Sequence, residues 1–119
     1  MSALSPRVLL RLEGLAVLAL ACAAFHALGA SWLTFGVLFL APDLSMVAFL
    51  AGSKAGARTY NAAHTYFLPA ALAAAGWFGH FPALVPLSVI WAAHIGFDRL
   101  LGYGLKYETA FKDTHLGRV

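Results

Sequence analysis

Several residues that bind metals or transfer protons occur inside segments otherwise made of hydrocarbon side chains. Asp43 lies in FLAPDLSMVAFL, His64 in YNAAHTYFLP and His94 in WAAHIGFDRLL. Two imidazoles with carboxylates suit Zn, Fe or Mn, and a two-histidine, one-carboxylate set with open positions can activate water for hydrolysis or oxygen for oxidation. Asp43, His64 and His94 are therefore the candidate metal ligands.

The composition indicates that these residues lie in a membrane. Of the 119 residues, 61% are hydrophobic and 11% are charged, whereas an ordinary soluble domain is about 45–50% apolar and about 25% charged. A soluble core of this size cannot bury so much apolar side chain, so the lipid bilayer must cover most of the surface. The eight basic residues are scattered, which argues against nucleic-acid binding, and a lone cysteine excludes a cysteine-based metal site.

Four apolar stretches of about 20 residues, the length that crosses a bilayer, predict an all-α membrane protein with four transmembrane helices. They cover residues 8–28, 31–52, 57–79 and 82–103. The short links between them predict an up-down-up-down bundle, which makes residues 1–119 a single integral membrane domain with a tail at 104–119. Lys and Arg flank the chain ends and the second link but not the first and third links, so both termini are expected in the cytoplasm. A multi-pass helical protein of this kind suits the bacterial inner membrane.

The polar residues of these helices fall into two layers when depth is counted at about 1.5 Å per residue. The three candidate ligands come from three helices and share one depth, and three further residues lie about one turn closer to the cytoplasm: Glu13, Asn61 and Asp98. The carboxylates of Asp98 and Glu13 are the candidate catalytic groups, and Asn61 is expected to orient the ligands. Arg99 is expected to extend toward the headgroups.

Four stretches of the chain also resemble a known family. They are LRLEG (10–14), FLAPDLSMVAFLAG (39–52), YNAAHTYFLP (60–69) and WAAHIGFDRLLGYGLKYETAFKDTHLGR (91–118). Together they resemble small bacterial integral membrane proteins known only as a domain of unknown function, and the resemblance covers nearly the whole chain. It implies a four-helix membrane protein and supplies no activity.

The resemblance carries over the carboxylates and histidines of the two layers and adds three residues of the tail. These are Lys112, Asp113 and His115. Because the tail begins at the cytoplasmic mouth of the expected pocket, the three residues are expected to support the site, with the tail as a lid.

Other functions fit the same residues, and whether the protein is an enzyme stays open. A proton or small-solute transport module would need a homo-oligomer, because four short helices are few for a monomeric transporter. Haem between His64 and His94 is a further alternative. In a structural or accessory subunit, the polar groups would only join helices. A metal site is preferred because ionisable residues inside a membrane mark function by default.

Overall fold

Six α-helices and one long 3-10 helix make up most of residues 4–119, the part of the chain that the computed structural model describes. They are α1 (Pro6–Ala27), α2 (Trp32–Leu38), the 3-10 helix (Ala41–Ala51), α3 (Ser53–His64), α4 (Phe67–Phe78), α5 (Leu84–Leu101) and α6 (His115–Arg118). The predicted all-α class is confirmed.

Three segments are long and apolar enough to cross a membrane: Pro6–Ala27, Trp32–Ala51 and Leu84–Leu101. They correspond to the first, second and fourth predicted spans. The third predicted span, 57–79, is divided between α3 and α4, each of 12 residues, and a single helix of that length does not cross the hydrocarbon core. These three segments support the prediction of a membrane protein. The four spans and their orientation remain predictions.

The division of the third predicted span occurs at Thr65, whose backbone is extended with φ −103° and ψ 150°. Pro69 follows four residues later and has no N–H to donate to the Thr65 carbonyl, which weakens a continuous helix at this point. The break makes His64 the last residue of α3. At the end of the helix, the His64 side chain can point in a direction that a continuous helix would not allow.

The second spanning segment changes geometry part-way along its length. Pro42 stands in the first turn of the 3-10 helix, which continues for 11 residues, although most 3-10 helices are shorter than about 4 residues. A 3-10 helix rises about 2.0 Å per residue, so this stretch and α2 together reach about 30 Å, the thickness of the hydrocarbon core. Asp43 therefore lies in a tighter helix than the sequence analysis assumed.

Helix α5 is held against α1 by a close crossing of two glycines. A Cβ on Gly14 would lie 2.5 Å from the Arg99 Cβ and 2.6 Å from the Gly96 carbonyl oxygen, and a Cβ on Gly96 would lie 2.8 Å from the Gly14 oxygen. The two backbones therefore touch, as small residues allow in membrane helices. This contact fixes α5, which carries His94 and Asp98.

The tail folds back on the helices as a short hairpin. Lys106 and Thr114 form an antiparallel bridge, and the His115 N–H donates to the Leu105 carbonyl at 2.9 Å. Leu116 is 2% exposed, and the Arg7 guanidinium of α1 donates to its carbonyl at 3.1 Å. The tail is therefore packed against the bundle.

Candidate metal centre

Four side chains from three helices converge on one point. Asp43 comes from the 3-10 helix, His64 ends α3, and His94 and Asp98 lie one turn apart on α5. One donor atom from each lies within 4.8 Å of the other three. The α5 pair shares a helix face because its members are four residues apart. The structure thus brings together the three candidate ligands and one of the two candidate catalytic carboxylates.

The separations between donor atoms match those around a metal ion. The Asp43 Oδ1 atom lies 3.0 Å from His64 Nε2 and 3.1 Å from His94 Nε2, and the two Nε2 atoms are 3.2 Å apart. The Asp98 Oδ2 atom lies 3.5 and 3.3 Å from the same two nitrogens. Neighbouring ligands are about 3.0 Å apart around a small octahedral ion and about 3.4 Å apart around tetrahedral zinc. The donors are therefore spaced as ligands of a single ion.

The tautomer of His64 directs the lone pair of its Nε2 atom at the other donors. His64 Nδ1 lies 2.8 Å from the Tyr60 carbonyl oxygen, which can only accept a hydrogen bond, so the ring proton of the neutral imidazole is on Nδ1. His64 Nε2 then faces a carboxylate oxygen at 3.0 Å and a second imidazole nitrogen at 3.2 Å with its lone pair. The two carboxylates beside it add negative charge, which a metal ion or added protons at the centre would compensate.

Burial makes this need for positive charge stronger. His94 is 1% exposed, His64 2% and Asp98 9%, while the side chain of Asp43 is 31% exposed. Two carboxylates in such a place are costly unless their charge is compensated. Since Asp43 is the most exposed of the four, its side is where an ion or a substrate can approach.

Aromatic rings hold the two imidazoles in place. The Tyr60 ring stacks on the His64 ring with centroids 3.7 Å apart and planes 8° apart, and the Phe39 ring contacts the His94 ring edge-on at 5.4 Å. The Nδ1 atom of His94 has no hydrogen-bond partner among residues 4–119. The His94 ring is therefore oriented by packing and by the contacts of its Nε2 atom with the two carboxylates, whereas the His64 ring also has a hydrogen bond at Nδ1.

Two side chains of α5 complete the broken end of α3. The Trp91 indole N–H donates to the Ala63 carbonyl at 2.6 Å, and the Arg99 guanidinium donates to the His64 carbonyl at 2.9 Å. The last carbonyls of a helix have no partner within it, and here α5 supplies the donors. Both bonds fix the chain at His64.

A family model described as a domain of unknown function (DUF4260) matches residues 7–119. The chain belongs to this family. No curated protein and no solved structure matches the chain significantly. The DUF4260 match includes all four converging residues and the tail, and it confirms the resemblance found in the sequence.

The remaining residues predicted for this DUF4260 site lie outside the four-donor cluster. Glu13 is exposed and lines a separate cavity of about 360 Å³ together with Tyr66 and Arg99. Asn61 pairs with the backbone of Lys106, accepting from its N–H at 2.6 Å and donating to its carbonyl at 2.7 Å. Asn61 therefore positions the tail, because both polar atoms of its side-chain amide are bonded to Lys106.

The three predicted tail residues have different surroundings. Lys112 is exposed. Asp113 accepts from Arg118 at 2.6 Å and from Thr109, and these two hydrogen bonds lower the pKa of Asp113 to about 2. His115 Nδ1 accepts from the Leu105 N–H at 2.8 Å. Burial lowers the pKa of His115, and the charge of Arg99 adds to the effect. These residues shape the tail and do not contribute donors to the cluster.

Two residues that contact the cluster, Arg99 and Tyr60, were not among the predicted site residues. Arg99 was expected to extend toward the headgroups; instead its guanidinium donates to the His64 carbonyl and lies 3.2 Å from His115 Nε2. Tyr60 is 4% exposed and stacks on His64. The separation of four residues between Tyr60 and His64 was the available signal, because residues at i and i+4 share a helix face.

The haem alternative does not fit the geometry of the two histidines. Ligands on opposite faces of a haem iron are about 4 Å apart, twice a metal–nitrogen bond of about 2.0 Å, with the porphyrin plane between them. His64 and His94 present their Nε2 atoms 3.2 Å apart, with a carboxylate oxygen in contact with both. The arrangement suits one small ion.

Proposed function

We propose that this DUF4260 protein is a membrane metal-binding protein in which Asp43, His64, His94 and Asp98 hold one divalent cation. The observation that carries the proposal is the convergence of two imidazole nitrogens and two carboxylate oxygens, five of whose pairwise separations are 3.0–3.5 Å. Two carboxylates and two neutral imidazoles carry a charge of −2. One divalent ion neutralises that charge and satisfies all four donors together.

The donor set favours Zn, Fe or Mn among the divalent ions. Imidazole with carboxylate suits these three, whereas Ca and Mg prefer oxygen ligands alone. With coordination positions left open, such an ion supplies Lewis-acid chemistry for hydrolysis or, with iron, oxygen chemistry. We propose metal-dependent hydrolysis or oxidation as the activity, with Asp43 on the accessible side.

Metal content of the purified protein tests this proposal. Protein reconstituted in nanodiscs should carry about one ion per chain, lose it to a chelator, and bind one equivalent of Zn again. His64→Ala and the isosteric Asp98→Asn should lose the ion, because each removes one donor. His26→Ala and Asp113→Asn are the matched controls, since these residues lie outside the cluster, and both should retain it.

Two results would overturn the metal assignment: wild-type protein that neither carries nor rebinds stoichiometric metal, or His64→Ala protein that binds Zn as tightly as wild type. Circular dichroism of each variant separates loss of a ligand from loss of the fold, and Asp98→Asn changes no volume.

Shared protons are the second candidate for the positive charge at the cluster, and they suit a proton-handling module. The 3.2 Å separation of the His64 and His94 Nε2 atoms is short enough for one proton to bridge them. Proton uptake into liposomes that vanishes in Asp43→Asn, from protein without metal, would favour this function over the metal site. A proton-handling module is predicted to be a homo-oligomer, and light scattering of the purified protein measures its oligomeric state.

A further inference from the structure

A cavity of about 370 Å³ lies between the 3-10 helix, the α3–α4 break and α5. Its volume falls within the range of about 300–1,000 Å³ that is usual for small-molecule sites. One rim is formed by Leu87, which is 36% exposed. The cavity borders two segments that are long and apolar enough to span a membrane, so it is accessible from the side of the helices.

The wall of this cavity presents hydrocarbon. Two side chains of the wall carry polar hydrogens, and both hydrogens are bonded to backbone carbonyls. The Ser45 hydroxyl donates to the Pro42 carbonyl at 2.7 Å, and the Trp91 N–H donates to the Ala63 carbonyl at 2.6 Å. A polar molecule inside would give up hydrogen bonds to water without replacing them. The cavity therefore selects an apolar occupant.

The four donor residues do not line this cavity, but three of its lining residues are neighbours of donors along the chain or on a helix face. Pro42 directly precedes Asp43, and Ala63 directly precedes His64. On α5, Ile90 lies four residues before His94 and so shares its helix face. The hydrocarbon part of an occupant would therefore lie beside the segments that carry these donors, with the exposed Leu87 at its other end.

We propose that this cavity binds the hydrocarbon chain of an amphiphile dissolved in the bilayer, with the polar group of that molecule at the four donors. The inference rests on the proposed metal site and names the substrate class for it: a lipid-like molecule with one polar, metal-reactive end. An apolar wall beside four polar donors matches the two halves of such a molecule.

A fatty acid that carries bromine on its chain is the probe for this site, because bromine quenches tryptophan fluorescence on contact. The protein is loaded with Zn in nanodiscs of unbrominated lipid. The substitutions Trp32→Phe and Trp77→Phe leave Trp91 as the only tryptophan. Titration with the probe should give quenching that saturates, since one chain fills the cavity. Collisions with lipid-dissolved probe alone would give quenching that rises without saturation.

Variants that fill the cavity provide the decisive comparison. Leu72→Phe and Leu87→Phe, combined, add side-chain volume inside it and should weaken saturable binding by about tenfold, or about 1.4 kcal/mol, because the rings occupy space that the hydrocarbon chain needs. Leu20→Phe makes the same change on α1, where the side chain is 71% exposed, and should leave binding unchanged. Unsaturable quenching, or equal binding in the filled and control variants, would overturn the proposal.

Cobalt in place of Zn tests the position of the polar group. The visible absorption of bound Co²⁺ responds to its ligands, so a fatty acid should change the spectrum and an alkane of equal length should not. A fatty acid that binds saturably without changing the cobalt spectrum would overturn the placement of its polar end.

The two proposals fail in different ways. Absence of stoichiometric metal in the wild type, with saturable quenching intact, would remove the metal site alone. Normal metal content, with no saturable quenching, would remove the amphiphile site alone.

Discussion

Arg99 influences the candidate centre through the backbone, at a distance from the donor atoms. Its guanidinium donates to the His64 carbonyl at 2.9 Å and lies 5.9 Å from the centroid of the Tyr66 ring. The carbonyl belongs to a helix end that has no partner of its own there. Arg99 is therefore a positioning residue for the proposed ligand His64.

Replacing Arg99 should weaken metal binding without removing a ligand. Arg99→Met leaves the His64 carbonyl without its donor, and we expect metal affinity to fall by about 10- to 100-fold, as for other groups that orient metal ligands. Arg99→Lys keeps a donor on a flexible stem and should restore part of the affinity. Zn titration of nanodisc-embedded protein measures both. Equal losses in the two variants would point to a role of the guanidinium that is independent of this hydrogen bond.

His115 should make the attachment of the tail sensitive to pH. Each of its ring nitrogens faces an N–H donor, from Leu105 at 2.8 Å and from Arg99 at 3.2 Å, and its pKa is lowered from the ordinary value of 6.5 by burial and by the Arg99 charge. The folded state therefore binds a proton less readily than the unfolded state. The stabilisation is complete above about pH 6.5 and is lost as the pH falls below that value.

Hydrogen exchange at the Leu105 amide measures this dependence. Its protection factor should fall as the pH is lowered from about 7.5 to about 5.5, where histidine gains its proton. His115→Gln, which accepts a hydrogen bond and does not titrate, should abolish the change. His26→Gln is the control and should retain it; a pH dependence unaffected by His115→Gln would show that another group is responsible.

At the scale of the helices, the crossing of α1 and α5 leaves no room for side chains at its two glycines. We expect Gly14→Ala to destabilise the protein by about 1–3 kcal/mol, because its Cβ would overlap α5 atoms that lie 2.5–2.8 Å away. Gly36→Ala on α2 meets nothing within 4 Å and should be neutral or stabilising by up to about 1 kcal/mol. Unfolding in graded SDS compares them, and equal effects would contradict the close crossing.

The helices also show which parts of the site could be predicted from sequence. Counting 1.5 Å per residue placed Asp43, His64 and His94 at one depth, and they converge. The depth of Asp43 was underestimated, because the residues between it and the second link lie in the 3-10 helix, which rises about 2.0 Å per residue. Spacing by four residues paired His94 with Asp98 correctly, because both lie on the unbroken helix α5.

Other features depend on contacts between distant segments, and local patterns do not contain them. The break at Thr65 needs donors from Trp91 and Arg99, which lie more than 25 residues further along the chain. Pro69 lies inside the third predicted span, where the apolar residues around it still predicted one continuous helix. Glu13 shared the expected depth of Asp98, yet it lies on an exposed face of α1, because depth alone does not determine the direction of a side chain.

At the scale of the whole molecule, the tail covers the end of α3 that carries the site. Lys106 pairs with Asn61 through two hydrogen bonds, and its ammonium group lies 4.6 Å from the centroid of the Tyr60 ring. That ring stacks on His64. A continuous set of contacts therefore links the tail hairpin to a proposed metal ligand, which is the arrangement expected of a lid.

Two of the polar contacts between the hairpin and α3 should differ in importance. The Asn61 amide satisfies both backbone groups of Lys106 in a partly buried setting. The second contact joins Arg58 and Glu108 at 2.8 Å, with side chains 65% and 50% exposed, and exposed ion pairs contribute little. Asn61→Ala should therefore release the tail, whereas Arg58→Gln, three residues earlier on the same helix, should leave it attached.

Release of the tail should appear as faster metal exchange. Removal of bound Zn by an excess of chelator should be accelerated in Asn61→Ala and unchanged in Arg58→Gln, because the released hairpin no longer covers Tyr60 and His64. The four donors are intact in both variants, so both should still bind one equivalent of Zn. Equal rates of metal loss in Asn61→Ala and wild type would mean that the ion leaves by the Asp43 side, past the cavity, and that the tail does not act as a lid.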